Sequence, residues 1–363
     1  MQATIALLPG DGIGPEVIDA AARVLDAVAD QGGHRLTLTR WPIGGAALRS
    51  GTPPLPESTR AACVAADAVL LGAVGDPAFD HGPSEGRPET ALLALRRELG
   101  VFANLRPAKV WPGLEDGGSL KPDLVRGLDM LIVRELTGGI YYGEPRGRTD
   151  DDQAAFNTMR YSRPEVERIA VVAFEAARQR RGLVTSVDKA NVLETSRLWR
   201  EVVTEVGERY PDVRLEHQYV DSCALLMVSN PQKFDVVVAG NLFGDILSDE
   251  AGAVVGSLGL LPSASVGGQG GLFEPVHGSA PDIAGRNVAN PVAAIASAAM
   301  LLRHALGAEK EAGAIESAIG DTLAAGLRTA DLSGGDGSAR SCTEMTDAIL
   351  KRLGDHSMIK GLK

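Results

Sequence analysis

The chain has few cysteines, few aromatic residues and no excess of positive charge. Three cysteines occur in 363 residues, at Cys63, Cys223 and Cys342, and no two of them have CxxC spacing. This usage excludes a disulfide framework and a zinc ribbon, and it predicts inert thiols in a reducing compartment. The 36 basic residues face 47 acidic ones, so the formal net charge is −11. Such a charge argues against nucleic acid or an anionic membrane as a partner.

Long apolar runs and a basic leader are also missing. The longest apolar stretch, residues 292–302, is too short to cross a bilayer. The first charged residue is Asp11, so we expect no secretory signal peptide. The hydrophobic fraction of 44% is ordinary for a globular protein, and the length allows two domains or one large one. We therefore expect a cytoplasmic protein whose arginine clusters bind small anions.

Apolar runs with strand character alternate with helical patterns along most of the chain. Strands are predicted over residues 4–8, 35–41, 68–72, 131–135, 182–188, 214–219 and 235–239. Helices are predicted over residues 16–29, 90–99, 164–180, 195–210, 222–229, 291–306, 309–326 and 341–353. This alternation predicts an α/β sheet protein. The near-continuous apolar character of residues 68–72 is typical of a sheet covered on both faces.

One segment, residues 137–161, breaks this alternation. It is rich in glycine, and short apolar stretches flank a polar turn, which favours a hairpin arm. A hairpin alone in water is marginal, so this one would pack against another body such as a second subunit. The alternative is a mobile surface loop.

The glycine-rich stretch LLPGDGIGPEV, residues 7–17, lies between a predicted strand and a predicted helix. Pro15 and Glu16 suit a first helical turn. The spacing is G-x-G-x-G rather than the G-x-G-x-x-G of a Rossmann site, and no carboxylate ends the next strand. A tight turn of an ordinary α/β protein is therefore favoured. If a nucleotide binds here, its acidic ribose clamp must come from elsewhere.

The helix predicted at 90–99 and the segment after it carry several arginines. One helix face holds side chains at i, i+3, i+4 and i+7, namely Glu89, Leu92, Leu93 and Arg96. Arg106 follows the helix, and Arg134 lies at the end of a separate strand. Because guanidinium groups bind carboxylates bidentately, three converging arginines would bind a dicarboxylate beside an apolar group. The alternative is surface arginines and core leucines.

Two further constellations follow predicted strands. Lys189, in DKANVLE, stands directly after the strand at 182–188, where open α/β sheets place their sites. A lysine can act as a base if its pKa is lowered, and the alternative is an exposed lysine. Asp245 and Asp249 share one helix face, and Asp221 follows another strand. Three such carboxylates would bind Mg²⁺ or Mn²⁺, and the alternative for a single aspartate is a helix cap.

Residues 273–291, FEPVHGSAPDIAGRNVANP, are predicted to form an ordered loop rather than a strand or a helix. Its prolines, glycines and asparagines would hold Asp282 in a rigid turn. Asp282 is the kind of carboxylate that the glycine turn at 10–14 lacks, because it could accept hydrogen bonds from ribose hydroxyls.

Together these stretches resemble the β-decarboxylating dehydrogenases over nearly the whole chain. The motifs that carry the resemblance are LLPGDGIGPEV, FANLRPAKV, LIVRELTGGIYYGEPRG, SVDKANVLE, EHQYVDSCA, GNLFGDILSD and HGSAPDIAG. The resemblance implies a two-domain α/β fold with one continuous mixed sheet, not a Rossmann fold. It implies a discontinuous cofactor-side domain of residues 1–101 plus 256–363. A second domain, residues 102–255, would form the dimer interface and carry the arm around 137–161.

The resemblance also implies a role for each matching residue. The catalytic residues would be Tyr141, which handles the proton added after decarboxylation, and Lys189 of the other subunit, which helps remove the hydroxyl proton. Substrate would contact Glu89, Leu92, Leu93, Arg96, Arg106, Arg134, Asn191 and Asp221. Asp245 and Asp249 would bind Mg²⁺ or Mn²⁺ together with Asp221 from the other subunit. The NAD site would be lined by Ile13, Glu274, His277, Gly278, Ser279, Ala280, Asp282, Asn290 and Asp331.

The activity implied is the NAD-dependent oxidative decarboxylation of 3-isopropylmalate to 4-methyl-2-oxopentanoate, in leucine biosynthesis, by a homodimer. Leu92 and Leu93 would offer an apolar surface to the isopropyl group. Alternatives within the family act on isocitrate, homoisocitrate, tartrate or D-malate. An alternative of another class is a non-catalytic binding protein with the same fold.

Overall fold

The computed structural model describes residues 1–79, 86–268, 270–333 and 338–360, with only the backbone from 356 onward. The strands are β1 (Gln2–Gly10), β2 (Arg35–Arg40), β3 (Ala68–Ala73), β4 (Ala103–Lys109), β5 (Asp129–Glu135), β6 (Gly147–Arg148), β7 (Ala155–Phe156), β8 (Leu183–Asp188), β9 (Arg214–Tyr219), β10 (Val236–Ala239), β11 (Pro262–Val266) and β12 (Leu272–Pro275). The helices are α1 (Gly14–Gly32), α2 (Gly45–Arg49), α3 (Glu57–Ala65), α4 (Pro88–Glu98), α5 (Pro122–Val125), α6 (Arg163–Arg178), α7 (Glu194–Gly207), α8 (Val220–Ser229), α9 (Asn241–Val255), α10 (Val292–His304), α11 (Glu309–Ala324) and α12 (Cys342–Lys360). Within these described ranges, none of the helices combines the length and apolar character that a bilayer crossing requires.

The chain forms two compact units. Unit 1 comprises Met1–Val101, Trp111–Gly118 and Gly256–Lys363, and unit 2 comprises Phe102–Val110 and Ser119–Val255. The segment Trp111–Gly118, which the sequence prediction assigns to the second domain, therefore lies in unit 1. The reason is packing: Trp111 is buried, and a Cβ at Gly320 of α11 would lie 3.8 Å from its ring. The carbonyl of Gly113 also accepts a hydrogen bond from Arg328 of this unit.

Five strands form the sheet of unit 1, in the order β2-β1-β3-β12-β11. All neighbours run parallel except β11, which is antiparallel to β12. Every residue of β3 is buried, and Leu7 of β1 pairs with Leu70 of β3 in the core. Continuous burial of this kind is typical of a parallel sheet with helices on both faces. The carboxyl ends of β1 and β3 meet at the glycine turn that follows β1.

Five strands of unit 2 lie in the order β4-β5-β10-β8-β9, and β6 and β7 form a separate pair. Strand β4 is antiparallel to β5, and the other neighbours run parallel. Because β5, β10 and β8 are adjacent and parallel, their carboxyl ends lie at one edge of the sheet. Arg134, Asn241 and Lys189 belong to these strand ends, where open α/β sheets bind their ligands.

The mixed arrangement of parallel and antiparallel strands confirms the prediction of an α/β fold with a mixed sheet. Helix α1 has Pro15 in its first turn, and Gly33, which caps its carboxyl end, has a left-handed conformation. Helix α6 has a capping box in which the Glu165 carboxylate accepts hydrogen bonds from the Ser162 backbone and hydroxyl. Within 137–161, strands β6 and β7 pair as a short antiparallel hairpin.

Some sequence predictions are wrong or incomplete. Strands β4, β11 and β12 are missing from them, because charged residues interrupt β4 and small residues make up most of β11. Residues 273–291 are not all loop, since Phe273, Glu274 and Pro275 belong to β12. These strands were hidden because period-2 patterning fails where a strand is buried on both faces or carries buried polar groups.

Candidate active site

In unit 1 the glycine turn is built by close approach of backbone segments. Gly10 and Gly12 have φ of 70° and 55°, and a Cβ on Gly12 would lie 1.9 Å from the carbonyl oxygen of Ser279. The amide of Ile13 donates to that oxygen at 2.8 Å. The turn therefore lies directly against the loop that contains HGSAPDIAG.

Asp11, within that turn, is a buried carboxylate that the sequence analysis did not assign to the site. It accepts hydrogen bonds from the backbone amides of Gly45, Ala46 and Gly75 at 2.7–2.9 Å. Three such bonds join the turn to the start of α2 and to the segment after β3. The signal in the sequence was an aspartate between two glycines at a strand end.

The HGSAPDIAG loop places its residues in different environments. Ser279 is buried, Ala280 has a left-handed φ of 39°, and Gly278 and Asp282 are exposed. His277 contacts the Gly278 carbonyl at 3.0 Å through Nδ1, and burial lowers the pKa of the imidazole. The His277 ring is therefore neutral near pH 7.

Asn290 and Asp331, both predicted to line the NAD site, contact each other. The Asn290 amide donates to Asp331 Oδ2 at 3.1 Å, and the Ser257 hydroxyl donates to the same oxygen at 2.6 Å. Thr329 donates to the other oxygen at 2.6 Å. Asp331 therefore ties three segments of unit 1 together.

The predicted substrate-binding residues of helix α4 differ in their exposure to solvent. Glu89 and Leu93 are exposed, Leu92 is intermediate and Arg96 is buried. Nη2 of Arg96 donates to Glu274 Oε1 at 2.8 Å, and Nε of Arg96 has no hydrogen-bond partner among the described residues. Glu274, predicted at the cofactor, is thus joined to Arg96, predicted at the substrate. The meeting of Arg96 with Arg106 and Arg134 stays a prediction.

In unit 2, Arg106 and Arg134 lie on the neighbouring strands β4 and β5, and both contact side chains of α9. Both are buried, with exposed fractions of 8% and 4%. Arg106 donates to Asn104 Oδ1 and Ser248 Oγ, each at 2.6 Å. Arg134 donates through Nε and Nη2 to Asn241 Oδ1 at 3.1 and 2.8 Å, and through Nη1 to Asp245.

Asp245 and Asp249 lie one helical turn apart on α9 and flank the Arg106 guanidinium. Their Oδ1 atoms are 3.6 and 3.7 Å from the same Arg106 nitrogen, so both carboxylates face one point. Burial raises the pKa of Asp249. The positive charge of Arg106 partly opposes this effect, and the negative charge of Asp245 adds to it. Two converging carboxylates of this kind fit a hard divalent cation, which relieves their repulsion.

Among the residues that the structure describes, no three His, Cys, Asp or Glu side chains come together as a metal site. One chain therefore supplies Asp245 and Asp249 without Asp221. The expectation that Asp221 of a second subunit completes the set stays a prediction.

Tyr141 stands in a short 3₁₀ turn after β5, and its hydroxyl donates to Asp245 Oδ2 at 3.0 Å. The Arg134 guanidinium lies 5.8 Å from the centre of its ring. Burial raises the pKa of Tyr141, and the Asp245 charge adds to this effect. The hydroxyl therefore keeps its proton at neutral pH and can donate it.

Lys189, Asn191 and Asp221 lie near the ends of β8 and β9. The Lys189 ammonium donates to Asp221 Oδ1 at 2.6 Å, and this bond lowers the pKa of the Asp221 carboxyl. Asn191 is exposed, as is Val192 next to it.

The structure thus brings four predicted residues of unit 2 together around Asp245: Arg106, Arg134, Tyr141 and Asp249. It pairs Lys189 with Asp221 separately. The sequence analysis missed Asn104, Asn241 and Ser248, which hold the two arginines. Asn241 follows a strand end, and this position was the available signal.

Comparison with known proteins gives matches over nearly the full length. The sequence model of the isocitrate/isopropylmalate dehydrogenase family matches residues 4–349. A 3-isopropylmalate dehydrogenase from Prochlorococcus marinus is 55% identical over 355 residues, covering 97% of this chain and 99% of that protein. A protein of the same name from Salinibacter ruber is 58% identical over 351 residues, covering 97% and 95%. The solved isocitrate dehydrogenase from Methylococcus capsulatus has a TM-score of 0.86 and 37% identity, covering 96% of this chain and 99% of that one.

Proposed function

The chain belongs to the isocitrate/isopropylmalate dehydrogenase family, and we propose that it catalyses the NAD-dependent oxidative decarboxylation of 3-isopropylmalate to 4-methyl-2-oxopentanoate. The observation that carries the proposal is the cluster around Asp245. Two buried arginines, a protonated tyrosine hydroxyl and two carboxylates meet there. Such a cluster suits a substrate with two carboxylates that must lose a proton, a hydride and CO₂.

Substrate binding is assigned to the arginines and to the leucines of α4. Arg106 and Arg134 are held by neutral amides and hydroxyls as well as by carboxylates, so their guanidinium planes are fixed before substrate arrives. Arg96 would contact the malate core, and Leu92 and Leu93 would contact the isopropyl group. The exposure of Leu93 supports this role, because a ligand that covers an exposed leucine removes apolar surface from water, which favours binding.

Asp245 and Asp249 would hold Mg²⁺ or Mn²⁺, with Asp221 of the partner subunit as a third ligand. A divalent cation supplies Lewis acidity toward a negatively charged substrate oxygen, and NAD supplies the hydride acceptor. Ile13, Glu274, His277, Gly278, Ser279, Ala280, Asp282, Asn290 and Asp331 would line the NAD site. Asp282, which is exposed, would accept hydrogen bonds from the adenosine ribose.

Two side chains would move protons. Lys189 of the partner subunit would help remove the proton of the substrate hydroxyl, with Asn191 beside it. Tyr141 would donate the proton that replaces CO₂, since burial keeps its hydroxyl protonated. Its Asp245 contact would hold the hydroxyl toward the reacting carbon.

The proposal includes a homodimer in the cytoplasm. Its support is a group of exposed apolar side chains in unit 2: Val192, Leu225, Val228 and Ile246. Exposed apolar groups on adjacent helices α8 and α9 favour an interface between copies of the chain.

The test is NADH formation, followed by absorbance, with 3-isopropylmalate, D-malate, isocitrate and tartrate, each with and without Mg²⁺. We expect the highest kcat/KM with 3-isopropylmalate and loss of activity in a chelator. A preference for isocitrate or tartrate would reassign the substrate within the family. Absence of NAD reduction with all four would favour a binding protein with this fold.

A further inference from the structure

The segment that carries Tyr141 is held in place by Glu135 and Tyr161, which lie outside the site described above, and by Asn241. This segment, residues 136–141, is called the strap here. At its start the Glu135 carboxylate is fully buried. It accepts hydrogen bonds from the Thr137 amide (2.9 Å), the Thr137 hydroxyl (2.7 Å) and the Gly138 amide (2.8 Å). Glu135 thus turns the chain sharply after β5.

Asn241 holds the strap from the other side. Its side-chain amide donates to the carbonyls of Leu136 and Gly138 at 3.1 and 3.2 Å, while its oxygen accepts from Arg134. All polar atoms of this side chain are therefore used, and the partners fix which end is oxygen. Because Asn241 begins α9, the strap and Asp245 are joined through one residue.

Tyr161 supports both parts. Its hydroxyl oxygen accepts a hydrogen bond from the backbone amide of Asn241 at 2.7 Å. A Cβ on Gly139 would lie 2.5 Å from that oxygen, and a Cβ on Gly138 would lie 2.7 Å from the ring. The two glycines of the strap are thus required for its close approach to Tyr161.

We propose that Glu135 and Tyr161 are positioning residues that act through the strap and hold the Tyr141 hydroxyl against Asp245. Among the described residues, no hydrogen bond or ion pair joins Glu135 or Tyr161 to Asp245 or Asp249, so their effect on catalysis is indirect. The inference rests on the proposed function in one respect, since Tyr141 is taken as the proton donor. A tyrosine on a short connection needs such support, because a displacement of about 1 Å can lower a rate about 100-fold.

The first test is a double-mutant cycle on purified enzyme with 3-isopropylmalate. Tyr161→Phe removes the hydroxyl oxygen that accepts from the Asn241 backbone amide. Glu135→Gln replaces one carboxylate oxygen with an NH₂ group, so either the Gly138 amide or Thr137 loses its acceptor. We expect each to lower kcat about 10- to 100-fold with the KM for NAD changed less than about 3-fold. In a Tyr141→Phe background neither change should lower kcat further, because the group that they position is gone.

Thr185→Val is the matched control. Thr185 is a buried residue of the same unit, and its hydroxyl has no hydrogen-bond partner among the described residues. The substitution also removes a buried hydroxyl without touching the strap, so kcat should stay within about 2-fold. Equal losses from Tyr161→Phe in the wild-type and Tyr141→Phe backgrounds would overturn the proposal, since they indicate a general structural effect.

The second test does not depend on turnover. Fluorotyrosine is incorporated at position 141, and its ¹⁹F resonance is compared among the parent chain, Tyr161→Phe and Thr185→Val. We expect Tyr161→Phe alone to move the resonance toward that of free fluorotyrosine. An unchanged resonance would overturn the strap assignment. If the parent chain fails to reduce NAD, the proposed function fails, and the resonance still reports whether the strap holds Tyr141.

Discussion

The Lys189 ammonium lies 2.6 Å from Oδ1 of Asp221, so the proposed base and the proposed third metal ligand form an ion pair within one chain. They follow the ends of β8 and β9, which are parallel neighbours. Their pairing places both on one edge of the sheet, apart from the cluster around Asp245. This arrangement suits two residues that together contribute to the active site of the partner subunit.

A mixing experiment tests that arrangement. Lys189→Met and Arg106→Ala should each be inactive alone, because each lacks a base or a substrate arginine. Equal mixing under exchange conditions should restore about a quarter of wild-type activity, since half of the dimers are mixed and each has one intact site. The measurement is NADH formation after subunit exchange, with heterodimers quantified by mass spectrometry. Formation of heterodimers without recovered activity would show that Lys189 serves its own chain.

Asp245→Asn should lower kcat at least about 100-fold and raise the Mg²⁺ concentration needed for half-maximal rate, because a neutral amide is a poorer ligand for a hard cation. The change also removes the charge that faces Arg134. The measurement is the rate as a function of Mg²⁺. Asp123→Asn, at an exposed position of the same unit, is the control and should leave both quantities unchanged. Unaltered Mg²⁺ dependence in Asp245→Asn would remove this residue from the metal site.

Cofactor choice should depend on Asp282. Its carboxylate favours ribose hydroxyls and repels the 2′-phosphate of NADP, and the neighbouring Ile283 offers no phosphate contact. We expect a strong NAD preference, and we expect Asp282→Lys with Ile283→Tyr to shift kcat/KM toward NADP. Asp30→Lys is the control, because it makes the same charge change near the end of α1, about 20 Å along the helix from its first turn. It should leave the ratio of kcat/KM for the two cofactors unaltered. Equal use of both cofactors by the wild type would contradict the assignment.

Gly12→Ala should disturb the contact between the glycine turn and the HGSAPDIAG loop. The added Cβ would lie 1.9 Å from the Ser279 carbonyl oxygen, and the φ of 55° is strained for alanine. We expect the KM for NAD to rise at least about 10-fold and the free energy of unfolding to fall by about 2 kcal/mol or more. Gly313→Ala in α11 is the control, because a Cβ there would contact nothing, and it should stabilise the protein by about 0.5–1 kcal/mol. Normal NAD binding by Gly12→Ala would show that the turn does not support the cofactor loop.

Much of the fold and part of the site could be predicted from local sequence. Apolar periodicity marks β3 and α1 because each buries a regular set of side chains on its own. Asp245 and Asp249 are four residues apart, so helical geometry alone puts both on one face. Lys189 directly follows a strand, and ligands of open α/β sheets bind at the carboxyl ends of the strands, so its position indicates a binding site.

Other features were decided by tertiary structure. Strand β4 was not predicted, because Asn104 and Arg106 are polar residues that the fold buries. They bond to each other, and Arg106 also bonds to Ser248, which is 142 positions further along the chain. The assignment of Trp111–Gly118 to unit 1 depends on packing against α11. The bond from the Asn241 amide to Tyr161 joins residues 80 positions apart. Periodicity describes which side of an element is buried, whereas contacts between distant segments depend on how those elements pack, and the site is made of such contacts.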